Sequence, residues 1–218
     1  MSNSSNKKTS RTKINRLPKR GYYDQETLYS ILDSALICHV GYILDGEPRV
    51  IPTAFARIEN EFFIHGSRVA GNIKALASGI MACITVTRLD GLVLARSGFN
   101  HSMNYRSVII YGNGTKVQEN EKLNILNAFI DHLIPGRSSD GLKPISKQDL
   151  LDTTVIRYPL NEMSAKVRVG HPNDDEEDYD LPVWSGIIPI IREFGEPITD
   201  PKMRHTTPMP NYVKYYNK

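Results

Sequence analysis

The stretch Ile37-Cys-His-Val-Gly-Tyr-Ile-Leu-Asp-Gly-Glu-Pro-Arg-Val-Ile-Pro-Thr-Ala-Phe-Ala-Arg-Ile58 decides the fold. Two extended runs, 37–44 and 48–58, flank Asp45-Gly46, a dipeptide that tolerates the positive φ angles of a tight hairpin turn. A third run, Glu61 to His65, follows the polar pair Glu59-Asn60. Three consecutive strands with short turns begin an antiparallel meander, which is typical of a small barrel.

The rest of the chain extends this pattern with further strands and a few helices. Further extended runs are expected at 81–87, 92–96, 106–111 (continued by 112–118) and 153–169. Helical periodicity is found at 24–36, at 69–78, from Asn120 to before Pro135, and at 146–152 behind a capping box of Ser146 and Asp149. The sequence therefore predicts a mainly β fold, an antiparallel barrel of six to seven strands with peripheral helices, and offers no Gly-x-Gly-x-x-Gly for a Rossmann unit.

Composition bounds the class of protein. The 218 residues are 40% hydrophobic and 23% charged, which describes a globular chain with one substantial core. Cys38 and Cys83 both lie in apolar runs, so we expect reduced, buried thiols. No window approaches a membrane helix, and the first twenty residues lack the apolar core of a secretory signal. We therefore expect a cytoplasmic protein.

The charge is uneven along the chain, which suggests three parts. The net charge of +3 hides an opening segment with seven Lys and Arg residues and no acid. We predict a disordered basic arm at 1–20, one domain at 21–192, and a tail at 193–218 that is loose or wraps a neighbour. Such an arm can touch nucleic acid or a membrane surface, but a solubilising terminus is the commoner role, and we expect neither partner.

Two other segments contain candidate ligand groups. Residues 99–112 bring hydroxyls, amides, an imidazole and a guanidinium to the start of an apolar strand, which fits either a pocket for an anionic organic ligand or an exposed hairpin loop. The acidic run 173–180 lacks the alternating ligands and the glycine of an EF-hand, so a solvated loop is favoured over a calcium site. Neither His-x-x-x-His nor Cys-x-x-Cys occurs, so no metal site is predicted.

Six landmarks in order carry a resemblance to a known family. They are Arg49-Val-Ile-Pro-Thr53, Phe63-Ile-His-Gly-Ser67, Thr85-Val-Thr-Arg-Leu-Asp-Gly91, Asn104-Tyr-Arg-Ser-Val108, Ser164-Ala-Lys-Val-Arg168 and Pro182-Val-Trp-Ser-Gly-Ile-Ile-Pro189. Over residues 16–190 the chain resembles a flavin-nucleotide-binding protein of the pyridoxamine 5′-phosphate oxidase-like split-barrel superfamily, in the branch of the nitroimidazole-resistance reductases.

The resemblance implies FMN in a groove of the split barrel, at the interface of a homodimer. Strand 49–54 would supply backbone groups to the isoalloxazine edge, and short hydroxyls would reach the ribityl chain. The phosphate would lie at the helix start near Val69, beside Arg68, Asn72 and Lys74. Gly71-Asn72 departs from the small residue and Arg or Lys usual there, and Arg49 or Lys74 could compensate. The implied cofactor-binding residues are Arg49, Ile51, Pro52, Thr53, His65, Gly66, Ser67, Asn72, Lys74, Thr85, Arg106, Ser107, Lys166 and Trp184.

His65 is the candidate catalytic residue, because it matches the histidine near the flavin in the nitroimidazole branch. An imidazole with a near-neutral pKa can donate a proton to reduced flavin or to substrate. His101 is a weaker candidate. Lys166 and Arg168 share one strand face and could favour anionic reduced flavin.

The function that the resemblance implies is FMN-dependent oxidoreduction of a small organic acceptor of unknown identity. The contacts of pyridoxamine phosphate oxidation are not recognisable. Two alternatives stay open: a non-catalytic flavin carrier or sensor, and a haem-binding split-barrel protein with His65, His101 or His171 as axial ligand. Turnover of NAD(P)H and an absorbance spectrum separate these readings.

Overall fold

A computed structural model describes residues 8–216 of the chain. Its strands are β1 (Gly21–Tyr22), β2 (Ile37–Leu44), β3 (Glu47–Ala54), β4 (Ala56–Ile58), β5 (Glu61–Ser67), β6 (Met81–Leu94), β7 (Ser102–Asn113), β8 (Thr115–Lys116), β9 (Thr153–Pro159), β10 (Met163–Arg168) and β11 (Gly186–Pro189). Its helices are α1 (Gln25–Asp33), α2 (Gly71–Ala77), α3 (Glu119–Leu133), α4 (Lys147–Asp152) and α5 (Asn211–Lys214).

The strands form two sheets that do not close into one. The larger sheet has the order β1-β10-β7-β6-β2-β3, with β11 added to β6, and the smaller has the order β4-β5-β9-β8. Every pairing is antiparallel. The predicted split β-barrel is therefore confirmed.

The main core lies between the sheets. Leu28, Ile31 and Leu32 on one face of α1 are buried with Val40, Ile84, Val108 and Ile110 of the larger sheet and with Ile64, Ile156 and Tyr158 of the smaller. A second, smaller core forms where α3 covers the other side of β5 and β9, with Phe63, Phe129 and Val155. Strands β5 and β9 thus have apolar side chains buried on both faces.

The strand limits differ from the predicted ones where pairing partners change. The predicted run 48–58 divides at Phe55, which is fully buried and stacks on Phe62 at 4.6 Å as the chain passes from one sheet to the other. The predicted runs 81–87 and 92–96 are one strand, β6, with a bulge between Leu89 and Gly91. The hairpin at Asp45-Gly46 is as predicted, with φ of 55° and 79°.

Both ends of the described residues, 8–20 and the tail up to Tyr216, pack on the domain. Arg11 and Thr9 bind the Glu162 carboxylate at 2.6 Å each, and Arg11 also lies over the Tyr111 ring. In this part of the predicted arm, Glu162 supplies a partner for the charge of Arg11. In the tail, Tyr216 donates to the Leu133 carbonyl and its ring meets Phe194 edge-on at 4.5 Å. Residues 1–7 of the predicted arm lie outside the described residues.

The cysteines and the acidic run have structural surroundings. Both thiols are free, and Cys38 points to the core while Cys83, which pairs with Gly41 and Tyr111, lies on the opposite side of the sheet. In the acidic run, Asp174 is buried and accepts from the Arg96 backbone N–H at 3.1 Å. Residues 8–216 contain no cluster of His, Cys, Asp and Glu fit to hold a metal ion. None of their helices is long and apolar enough to span a membrane.

Candidate functional site

Strand β3 forms one edge of the larger sheet. Arg49, Ile51 and Thr53 pair with Tyr42, Val40 and Cys38, whose side chains are buried, so these three residues point toward the barrel interior. Pro48 and Pro52 lack an N–H, and such residues are tolerated in an edge strand. Along this free edge, alternate backbone groups are left without a strand partner, and a planar ligand with donors and acceptors along one side can use them. Arg49 is exposed and pairs with Glu47 at 3.3 Å.

Four predicted residues share the outer face of the larger sheet. Pro52 pairs with His39, which pairs in turn with Thr85. Ser107 pairs with Thr87 on one side and with Lys166 on the other. Because directly opposite residues point the same way, Pro52, Thr85, Ser107 and Lys166 lie on one face. The structure therefore places these four residues on one face, spread from β10 to β3, and we call this surface the outer face.

Arg106 points away from that group. Its neighbours on β7 alternate, so Arg106 lies on the inner side with the buried Val108, while Ser107 lies outside. Its guanidinium forms two parallel hydrogen bonds with the Asp90 carboxylate, at 2.8 and 2.9 Å. Asp90 raises the pKa of Arg106. This donor is already occupied, which leaves Arg106 as a poor direct ligand for a cofactor.

His65 faces α3 and not the outer face. Its ring meets the Phe129 ring edge-on at 4.4 Å, within the smaller core. Its Nδ1 is buried and has no hydrogen-bond partner in residues 8–216, and burial lowers the pKa of His65. The arrangement keeps the imidazole neutral near pH 7. A neutral imidazole with a free nitrogen can bind a metal or accept a proton, but only if Phe129 leaves room.

The predicted phosphate residues gather around α2. Gly66 permits this helix to approach β5, since a Cβ there would lie 2.8 Å from the Ile73 side chain. A hollow of about 420 Å³ is lined by Arg68, Lys74 and Lys116, with Ser78 and Thr154 beside them. Arg68 is half exposed and lies 3.3 Å from Asp152. Asn72 is on α2 but does not line this hollow, and Ser67 lies next to Arg68 at the end of β5.

Lys116 is a residue that the sequence analysis missed. It follows β7 by only three residues and carries no motif. Its position in the α2 hollow arises because the short strand β8 pairs with β9, where Lys116 is opposite Ile156. With Lys116, the hollow has three cations although Gly71-Asn72 provides none.

Trp184 lies on the outer face at the far end of β6. The indole is 67% exposed and covers Gly186, where a Cβ would lie 2.9 Å from the ring. Beside it, Ile188 pairs with Leu92, which pairs with Met103, and all three side chains are 41–50% exposed. A large exposed tryptophan among exposed apolar residues is a common feature of interfaces.

The other polar residues singled out in the sequence mostly bind one another. Asn104 accepts from the Arg168 guanidinium, and Arg168 also donates to the carbonyl groups of Gly170 and His171. His101 Nδ1 lies 3.0 Å from the Ser97 carbonyl oxygen. Ser107 Oγ donates to the Lys166 carbonyl at 3.3 Å. These contacts hold the β7–β10 end of the sheet together.

A larger cavity, which the sequence did not indicate, lies beside Pro52. It has a volume of about 570 Å³, and His39, Arg88 and Arg192 line it together with apolar groups of Leu36, Ile37 and Phe194. We call it the His39 cavity. Its walls come from the α1–β2 connection, β3, β6 and the start of the tail, so no local motif marks it.

Comparison with known proteins agrees with this architecture. A family model described as pyridoxamine 5′-phosphate oxidase matches residues 24–167. The flavocytochrome Anf3 of Azotobacter vinelandii is 40% identical, with 94% of this chain and 95% of that chain covered and a TM-score of 0.89. An FAD and haem binding protein of Mycobacterium smegmatis is 33% identical, with 89% and 95% covered and a TM-score of 0.86.

A shorter relative matches the barrel with a lower score. A Bacteroides thetaiotaomicron protein assigned to 5-nitroimidazole antibiotic resistance is 25% identical over 66% of this chain and 84% of that one, with a TM-score of 0.55. No curated protein matches. The family model covers well over half of the chain, and two relatives exceed 30% identity over nearly all of it, so the chain belongs to the pyridoxamine 5′-phosphate oxidase family, as its landmarks predicted.

Proposed function

We propose that the chain binds a flavin nucleotide and transfers electrons between that flavin and a small acceptor. The observation that carries the proposal is the likeness to a flavocytochrome and to an FAD and haem binding protein along 94% and 89% of the chain. When bound, a flavin supplies the one- and two-electron chemistry, and the protein orients it and tunes its potential.

The edge of β3 and the α2 hollow suit the two ends of a flavin. The free backbone groups of β3 would bind the pyrimidine edge of the ring beside Pro52. The three cations Arg68, Lys74 and Lys116 would bind the phosphate, which needs positive charge and finds none at Gly71-Asn72. Both parts lie on residues that the family resemblance had indicated, with Lys116 added.

The flavin is proposed to be FAD in preference to FMN. The sequence resemblance implied FMN, whereas the two relatives that match nearly all of this chain include one described as binding FAD. The dinucleotide carries a second phosphate and an adenosine, for which the chain needs a longer groove than FMN requires. Mass spectrometry of the released cofactor distinguishes the two.

A homodimer is proposed to complete the flavin site. The outer face exposes a row of apolar side chains at one corner, with Ile43 66%, Val50 67% and Met81 41% exposed. It carries Thr85, Ser107 and Lys166 in its centre. A second copy seated there would cover the apolar rows and bring the hydroxyls and the ammonium group of one copy toward the flavin edge of the other.

Haem binding is the second candidate function. One long relative is described as a flavocytochrome and the other as an FAD and haem binding protein, and both match more of this chain than the nitroimidazole-type relative does. The imidazoles of His39 and His65 are two nitrogen ligands without a hydrogen bond within residues 8–216: His39 lines a cavity, and the Nδ1 of His65 is buried.

The test is the spectrum of the protein purified without added cofactor. We expect flavin absorbance, and FAD as the released nucleotide in mass spectrometry. A Soret band in addition would support the second candidate. Oxidation of NAD(P)H by the holoprotein with a quinone or nitroaromatic acceptor would support an enzyme, and stoichiometric reduction without turnover a carrier. Absence of both chromophores, with no quenching on titration with FAD or FMN, would overturn the proposal.

A further inference from the structure

The His39 cavity contains a positive charge that the surrounding residues do not balance. Arg88 donates to the Ser34 carbonyl through Nη1, but its buried Nε has no hydrogen-bond partner in residues 8–216. Burial lowers the pKa of Arg88, and the neighbouring cations Arg192 and Arg106 lower it further. The Asp90 carboxylate raises the pKa of Arg88, but both of its oxygens accept hydrogen bonds from Arg106.

Arg192 adds a second guanidinium at the mouth of the cavity. It is exposed and forms no ion pair within the described part of the chain. Glu193 is the one carboxylate of the lining, is exposed, and is not among the groups that shift Arg88. An anion that binds both Arg88 and Arg192 would reduce their repulsion and could accept from the unused Nε of Arg88. A carboxylate suits this role, because it binds a guanidinium through two parallel hydrogen bonds.

The opposite wall of the cavity presents an imidazole and apolar surface. His39 points outward from β2, opposite Pro52 and Thr85, and makes no hydrogen bond with residues 8–216. Leu36, Ile37 and Phe194 supply the apolar walls. The volume of about 570 Å³ lies within the range of cofactor pockets, about 300–1,000 Å³.

These three features match one ligand better than others: a flat apolar macrocycle that carries two carboxylates and a metal ion. We propose that the His39 cavity is the haem site, with His39 as an axial ligand and with Arg88 and Arg192 bound to the propionates. This inference rests on the second candidate function above. It assigns the ligand to a histidine that the sequence analysis did not name, in place of His65, His101 or His171.

The structure favours His39 over those three residues. The His65 ring is enclosed by Phe129 and lines neither cavity. His101 is held to the Ser97 carbonyl on an exposed turn. His171 lies on the turn that Arg168 binds after β10, and it does not line the His39 cavity. Only His39 among the four lies in a cavity that also contains Arg88 and Arg192.

The tail also belongs to this site. Arg192 and Phe194 line the cavity, and the Phe194 ring is fixed by Tyr216, whose hydroxyl binds the end of α3. The cavity thus exists in this form only when the tail is docked.

The experiment is titration of the full-length chain with hemin, followed by absorbance and electron paramagnetic resonance. We expect wild-type protein to give the spectrum of histidine-ligated haem. His39→Ala should weaken haem binding by at least about tenfold and change the spin state, and added imidazole should restore the wild-type spectrum. Arg192→Gln should weaken binding several-fold with the spin state unchanged. His205→Ala, at an exposed residue that does not line the cavity, is the matched control and should leave both unchanged.

The outcomes separate this inference from the proposed function. If wild-type protein binds no hemin, the second candidate function fails and the inference with it. A second outcome is that wild-type protein binds hemin and His39→Ala keeps the wild-type spin state and hemin affinity. If His65→Ala or His171→Ala then loses that spin state and affinity, the ligand assignment alone is overturned. If His39→Ala instead lowers flavin affinity with haem affinity intact, the cavity belongs to the flavin. Melting curves of each variant exclude unfolding as the cause.

Discussion

The buried imidazole of His65 makes the stability of this fold depend on pH. Burial lowers the pKa of His65 below its ordinary value of 6.5, whereas in the unfolded chain that value is restored. Between the two values the unfolded state binds more protons than the folded state. The free energy of unfolding is therefore unaffected by this group above about pH 6.5 and falls as the pH falls below it.

We expect His65→Gln to flatten that decline. Urea unfolding at several pH values from 7.5 to 5 measures it, and the difference in slope between wild type and variant is at most about 1.4 kcal/mol per pH unit, the value for one proton. His101→Gln is the matched control, because His101 is exposed. Parallel curves for wild type and His65→Gln would show that His65 is not held neutral by burial.

At the scale of single residues, the sequence identifies candidate site residues that belong to a local motif. It does not identify residues that reach a site only through pairing between distant parts of the chain. Pro52, Thr85, Ser107 and Lys166 were named from landmarks, and the register places them on one face. His39 and Lys116 have no local signal, because their roles depend on β2–β3 and β8–β9 pairing. Whether Arg106 is free to bind a ligand depends on Asp90, sixteen positions away, which accepts hydrogen bonds from its guanidinium.

At the scale of elements, a buried lysine joins α3 to α4. Lys122 is 1% exposed, and its ammonium donates to the carbonyls of Leu150 and Thr153 at 2.9 and 2.8 Å. Glu119, one turn earlier on α3, lies 2.7 Å from the same nitrogen. These carbonyls belong to the last turn of α4 and the residue after it, which have no helical partners of their own. The Lys122 side chain, which belongs to α3, therefore caps the C-terminal end of α4.

We expect Lys122→Met to cost about 2–4 kcal/mol of unfolding free energy, because the methionine fills the volume but leaves buried carbonyls and Glu119 without a cation. Chemical denaturation with unchanged m-value measures this loss. Lys147→Met, on the exposed side of α4, serves as the control and should change stability by less than about 0.5 kcal/mol. Equal losses in the two variants would contradict the capping role.

Helices were more predictable than strands for a physical reason. The N-cap of α1 and the capping box of α4 are local hydrogen bonds: the Thr27 N–H donates to the Asp24 carboxylate, and Ser146 and Asp149 bind each other. The capping box was predicted from the spacing of its two residues. Strand limits depend on partners far along the chain. The bulge after Leu89 and the crossing at Phe55 follow from how the sheets meet, which residue periodicity does not contain.

At the scale of the whole molecule, the outer face leaves apolar side chains uncovered by the described chain. Ile43 and Val50 flank Gly41 on neighbouring strands, each about two-thirds exposed. A monomer gains nothing from a flat apolar sheet surface, while a second copy related by a two-fold axis would bury the same patch on both chains. The sequence implied such a dimer only through its family resemblance.

We expect Val50→Glu to weaken the dimer, since it would place two carboxylates in the centre of a self-complementary apolar patch. The dimer dissociation constant should rise by at least about tenfold, about 1.4 kcal/mol, in sedimentation velocity over a concentration series. Ile198→Glu is the control, because Ile198 is 96% exposed in the tail and lies on no sheet. Flavin content should fall together with the dimer fraction in Val50→Glu alone. A wild-type protein that stays monomeric at every concentration, or a Val50→Glu dimer as tight as wild type, would remove the outer face from the flavin site and leave β3 and the α2 hollow to bind the cofactor within one chain.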